Sequence, residues 1–191
     1  WRSIGQDGAG TEVYGRRFDV RNRTCTAQSD EFRVNSDIVG NQRDGVCCAL
    51  PNGNIMAAWV SEKNNVNTLF GRIFDQQGQP LGEDFVLHSN DERGLNLVSL
   101  APHPKGVLAA WACTDLSGSP EGIQGSLINF DEAQNMSQEL FSAHGGASSL
   151  AFEPSIDSAN DGSFVVSWMS TIDGSQFDVT ARRFNSDLSP A

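Results

Sequence analysis

Apolar positions along this chain come in short runs bounded by Gly, Asp, Asn and Ser, the pattern of strands and turns rather than of helices. Three runs have the same design: Asn54–Trp59 (NIMAAW), Gly106–Trp111 (GVLAAW) and Ser163–Trp168 (SFVVSW). Alternation puts Ile55/Ala57/Trp59, Val107/Ala109/Trp111 and Phe164/Val166/Trp168 on one face. Met56/Ala58, Leu108/Ala110 and Val165/Ser167 fall on the other. Both faces are apolar or small, which predicts a strand buried on two sides, central in its unit.

A second segment follows each Trp: Val13–Asp19 (VYGRRFD), Leu69–Asp75 (LFGRIFD), Gly125–Asp131 (GSLINFD) and Val179–Asn185 (VTARRFN). One face carries Tyr14/Arg16/Phe18, Phe70/Arg72/Phe74 or Thr180/Arg182/Phe184, and the other carries Gly15, Gly71 or Ala181. A polar, half-exposed outer strand is expected, with the small residue leaving room for a neighbouring layer. With Phe130 aligned to Phe74, the third copy has Ile128 where its siblings have Arg.

The four tryptophans, Trp1, Trp59, Trp111 and Trp168, are 58, 52 and 57 residues apart, so the chain is an internal repeat. A further strand follows three of the Phe ends: Glu31–Asn35, Asp84–Asn90 and Glu139–His144. A third segment comes next, around Val46–Leu50, Leu97–Ala101 or Glu153–Ser158. The stretch Asn129–Ser142 has helix-friendly composition, but the register makes it strand, turn and strand. Thirteen strands are predicted, three sets of four plus one. The single repeat domain 1–191 divides into an N-terminal surplus strand and turn at 1–30 and repeats at 31–75, 76–131 and 132–191. The fold class expected is all-β, from a four-stranded antiparallel unit.

These residues resemble tandem repeats of about fifty residues in large secreted and surface proteins, chiefly bacterial. The match is clearest at Trp1–Asp19, Gly82–Leu87 (GEDFVL) and Asp161–Trp168 (DGSFVVSW). The resemblance implies a β-propeller-like or related stacked-sheet architecture, an extracellular setting and an adhesive or scaffolding role. It implies no reaction. A closed propeller needs at least about four blades, so three units and a strand point to a longer array, a sandwich, or protomers that complete one another. The surplus strand Glu12–Asp19 either inserts into a neighbouring protomer's sheet or closes the last sheet of its own chain. The chain starts at Trp1, inside the repeat and without an initiator Met, so a processed product or fragment is expected.

The net charge of −11 disfavours nucleic acid or an anionic membrane as partner. No apolar run is long enough for membrane insertion as a helix. Four cysteines, Cys25, Cys47, Cys48 and Cys113, read as two disulfides; Cys47 and Cys48 face apart on a strand and need different partners. Two sequons, Asn22-Arg23-Thr24 and Asn135-Met136-Ser137, place candidate glycans in turns. The loops Gln6–Gly10 and Asp157–Gly162 are where calcium would bind, but neither has the spacing of a calcium loop, and turn chemistry accounts for both. No cofactor or metal is otherwise expected.

Catalytic residues are expected to be none. His88, His103 and His144 share no motif, and Glu83/Asp84, Asp91/Glu92 and Asp131/Glu132 are sequence neighbours that face apart on a strand. Arg16, Arg72 and Arg182 read as a structural ladder that stacks on Tyr14 or Phe70, or pairs with acidic neighbours. The repeat core expected is Trp1, Trp59, Trp111, Trp168, Phe18, Phe74, Phe130 and Phe184. A non-enzymatic structural or adhesive building block of an extracellular assembly is the function expected, with self as partner and filaments joined by strand complementation as its form. A carbohydrate-binding module, with glycans as partner and Tyr14 or Phe70 exposed, is the alternative.

Overall fold

The computed structural model describes all residues except 6–9, 90–93, 116–119, 132–134, 145–149 and 172–173. The described residues form sixteen strands and no helix. They group into four layers stacked face to face.

The first layer contains β1 (Arg2–Ile4), β2 (Thr11–Gly15) and β5 (Phe32–Arg33). Its strand pairing reaches the second layer through one parallel bridge, Thr11 to Asn41. The hairpin of β3 (Phe18–Arg21) and β4 (Thr24–Ala27) interrupts it. The second layer has the order β6 (Asn41–Ala49), β7 (Ile55–Lys63), β8 (Val66–Phe74) and β9 (Phe85–Ser89). The third repeats that order with β10 (Gly94–His103), β11 (Gly106–Thr114), β12 (Pro120–Phe130) and β13 (Met136–His144). The fourth has β14 (Leu150–Ser158), β15 (Phe164–Thr171) and β16 (Asp178–Phe184). Neighbours within the second, third and fourth layers are antiparallel.

One register recurs through the layers. Trp59 lies opposite Phe70, Trp111 opposite Gln124 and Trp168 opposite Thr180. The Tyr14 amide donates to the Trp1 carbonyl at 2.8 Å, which sets the same pair in the first layer. One residue later, Gly15, Gly71 and Gly125 lie opposite Phe32, Phe85 and Phe141. A Cβ on Gly71 would sit 2.7 Å from the Phe85 ring, so the glycine is the seat of the aromatic.

A bulge also recurs. Asp44, Leu97 and Glu153 have φ of 56°, 51° and 54°, in the left-handed region that costs a side-chain-bearing residue energy. Each falls where pairing jumps: Arg43 to Val46, Asn96 to Ser99 and Phe152 to Ser155. Two residues therefore oppose one, and that one is Trp59, Trp111 or Trp168.

Each layer turns its Trp face to the layer before. Ala57, Trp59 and Phe74 pack against Val13 and Val34. Val107, Ala109, Trp111 and Ile128 pack against Met56, Ala58, Val60 and Leu69. Phe164, Val166, Trp168 and Phe184 pack against Leu108, Ala110, Ile123 and Leu127. The β7 and β11 strands are thus apolar on both faces because a layer lies on each side.

Several expectations change. The Phe strands β8 and β12 are interior, not outer; β9 and β13 form the rim, which alternation alone does not reveal. Val13–Asp19 is not one strand: β2 ends at Gly15 and Phe18 begins a hairpin. With β1, β3 and β4, the strands outnumber the thirteen expected. In the third unit the alignment slips by two: Val107 pairs with Ile128 as Ile55 pairs with Phe74, so Ile128 matches Phe74 and Ser126 matches Arg72. Trp1 and Phe18 lie outside the three cores of the described residues and are 51% and 53% exposed. Phe130 is half-buried beside the second core, while Trp59, Trp111, Trp168, Phe74 and Phe184 are buried. The segment Asn129–Ser142 contains the end of β12 and most of β13 rather than a helix among its described residues.

Candidate functional site

The turns that join the strands define the chain's polar surface. After β8, the Asp75 carboxylate accepts the amides of Gln77 and Gln79, both at 2.8 Å, and Gly78 takes φ 83°. After β14, Asp161 accepts the Ser163 amide at 2.8 Å and Gly162 takes φ 84°. These carboxylates close turns. The bonds from Ser163 hold the exposed Asp161 carboxyl below its usual range. The second calcium candidate, Asp157–Gly162, is this turn; the first, Gln6–Gly10, lies largely outside the described residues. Among the described residues, no group of three or more His, Cys, Asp or Glu converges.

Two histidines share a role that the sequence reading missed. The His88 ring packs on Trp111 of the next layer at 5.1 Å, and the His144 ring packs on Trp168 at 5.7 Å. Each is the third residue after the Phe that covers a glycine, Phe85 or Phe141. Counting from that Phe would have revealed them. Burial lowers the pKa of His88. His103 is buried against the fourth layer: its Nε2 is 3.1 Å from the Gly162 carbonyl, and its Nδ1 accepts the Lys105 amide at 3.2 Å. Those partners select the tautomer with the proton on Nε2. Burial is the main reason its pKa is also lowered.

The arginines act between layers. Arg72 donates through Nε to the Gly82 carbonyl at 2.9 Å and through Nη1 to Val34 of the first layer at 3.1 Å. Asp84, nearly buried, lies 3.6 Å from Arg72 Nε and accepts the Ser36 amide at 2.8 Å. Arg72 and Arg16 lie over Phe74 and Phe18, each at 5.7 Å, not over Phe70 and Tyr14. Phe70 is stacked on Trp59 instead, and Tyr14 is half-buried. Arg182 is exposed on β16. Of the carboxylate pairs, Asp91/Glu92 and Glu132 lie outside the described residues, and Glu83 is exposed.

Cys25, Cys47, Cys48 and Cys113 are not disulfide-bonded in this structure. Cys25 is on the exposed β3–β4 hairpin and Cys47 faces out. Cys48 and Cys113 belong to the core between the second and third layers. Burial, with Cys47 adding to it, pushes the Cys48 thiol up to about 12. The two sequon asparagines are exposed; Asn22 sits at the hairpin tip with φ 51°, and Asn135 Nδ2 donates to Asp131 at 2.8 Å.

Three surfaces stand out. A groove of about 310 Å³ between the second and third layers has Leu50, Ile73 and Phe130 as its floor and Asn52, Asn54, Lys105 and Asp131 at its rim. The outer edge of β16 carries no further strand among the described residues, whereas β2, β8 and β12 are each capped by one. Finally, apolar residues stand exposed on the outward faces of the first and fourth layers. No family model matches the chain, and no curated protein is significantly similar to it.

Proposed function

We propose that this protein is a non-enzymatic structural or adhesive building block of an extracellular assembly. One observation carries the reading: the same layer, with the same Trp register, bulge and stacking face, recurs along the chain. A unit that buries its apolar faces only against its own kind suits an extensible array. The layers correspond to blades of a propeller-like stack, and the sequons Asn22 and Asn135 lie where glycans are accommodated.

Strand complementation at the β16 edge is the proposed mode of growth. The surplus strand is hydrogen-bonded to β1 and β5 within its own layer and does not pair with β16. The strand that fits the open edge is therefore of the β9 type, which caps β8. It comes from chain following Ala191 or from another protomer. Negative-stain microscopy of the purified protein tests the reading, with regular filaments expected. A peptide spanning Leu81–Ser89, added in excess, is expected to occupy the edge and shorten them. Dispersed monomers across all concentrations would count against the assembly role.

The groove at Phe130 favours a second reading, a carbohydrate-binding module. An aromatic floor with amide and carboxylate groups at its rim suits a sugar ring. Binding on a glycan array that Asn54→Ala and Phe130→Ala abolish would establish it in place of the first.

A further inference from the structure

The two end faces of the stack are the two halves of an interface that the chain already makes internally. The Trp face of the first layer presents Trp1 and Tyr14, the positions held by Trp59 and Phe70 in the second layer, and Phe18, at the start of β3, lies under Arg16 as Phe74 lies under Arg72. In the second layer these aromatics pack against the first, with Trp59 1% and Phe74 3% exposed. In the first layer Trp1 is 51% and Phe18 53% exposed.

The opposite end shows the reverse surface. Val165 and Val179 point away from the third layer, because their neighbours Phe164, Val166 and Trp168 point into it. They are 42% and 81% exposed. Val179 occupies the position of Leu69 in the second layer, as the pairing of Trp168 with Thr180 and of Trp59 with Phe70 requires; Leu69 is fully buried beneath the third layer. An open groove of about 470 Å³ crosses this face beside Phe164, Val165 and Arg183. In the second layer, the corresponding ground beside Ile73 is faced by Pro104 and Phe130 of the third.

We infer that the Trp1/Phe18 face of one molecule stacks on the Val165/Val179 face of a second copy, head to tail. The inference rests on the proposed assembly role and names the partner and the contact. The occupant is a second copy because the covering surface each face lacks is the one that the other face supplies. Such a contact is heterologous and does not close on itself, so it builds a linear stack. It buries aromatic anchors, Trp1 and Tyr14 being of the residue types that dominate association energies, against aliphatic seats. Strand exchange at the β16 edge is a separate contact on the same molecule.

Sedimentation analysis of two surface variants tests the proposal. Wild-type protein is expected to show concentration-dependent growth. Phe18→Asp and Val179→Asp should each weaken self-association by on the order of tenfold or more, with thermal midpoints near the wild-type value because both side chains are exposed. Mixed together, the two variants should form a discrete one-to-one dimer: Phe18→Asp keeps the valine face and Val179→Asp keeps the tryptophan face. Wild-type protein that stays monomeric, or single variants that grow like wild type, would overturn the proposal. So would a mixture that fails to dimerise. Filaments that persist in both variants but disperse with the Leu81–Ser89 peptide would sink face stacking and leave the assembly role standing.

Discussion

His103 shows how much one side chain can depend on its neighbours. Its neutral form meets both partners, donating to the Gly162 carbonyl and accepting from the Lys105 amide. A second proton would set two N–H groups against each other at Nδ1. Burial lowers its pKa from 6.5, so the unfolded chain takes up the proton more readily than the folded one. Its stabilising contribution is therefore complete above about pH 6.5 and is lost as pH falls through the lower folded-state value. Denaturant titrations should show stability declining on that acid limb, and His103→Gln should flatten the decline. The cysteines give a second outcome. Cys25 and Cys47 are exposed, whereas Cys48, raised to about 12, and Cys113, 3% exposed, lie in the core. Alkylation of the native protein at mildly alkaline pH should modify the first two alone, read as mass added before and after unfolding.

At the scale of the element, the glycine and the aromatic that covers it act together. A side chain at residue 71 would place its Cβ 2.7 Å from the Phe85 ring and 3.1 Å from Met56. Gly71→Val should cost about 1–3 kcal/mol in chemical denaturation, and Phe85→Leu in the same chain should recover part of it. The strands themselves were legible from alternation, because a strand between two layers must be apolar on both faces. The alignment of the third unit was not. Its slip was two residues, and a two-residue slip leaves every side chain on its original face, so periodicity cannot detect it. The bulges were hidden for another reason. Leu97 and Glu153 are not residues that announce a left-handed backbone, and only pairing on both sides of them reveals it. The β3–β4 hairpin was missed because Thr24–Ala27 has no apolar alternation to mark it.

Among the described residues, the layers are held by three cores, two large and one small, rather than by one centre. Trp111 is fully buried in the middle of the largest and also supports His88. Trp111→Ala should cost about 3–5 kcal/mol, seen as a lower denaturation midpoint. The repeat was visible in the tryptophan spacing, and so was the lack of an even number of units. The stacking order was not visible, since nothing in a strand's own residues says which face meets the preceding layer. That information lies in pairs distant in sequence, such as Arg72 with Val34 and His88 with Trp111.

The bulges opposite the tryptophans also govern which length changes the chain can absorb over time. Deleting Gly45 alone would leave Asp44 opposite Trp59 in regular alternation, with Gln42 still opposite Ser61. Deleting a residue from the regularly paired stretch would instead turn everything beyond it inside out. Loss or gain of a single residue within a regularly paired inner stretch is thus penalised, whereas the bulges and the surface turns, such as the one lengthened into the β3–β4 hairpin, accept it. Natural variants of this chain should differ in length at the turns, at the bulges or by entire layers, and hold the regularly paired stretches between them to a fixed count.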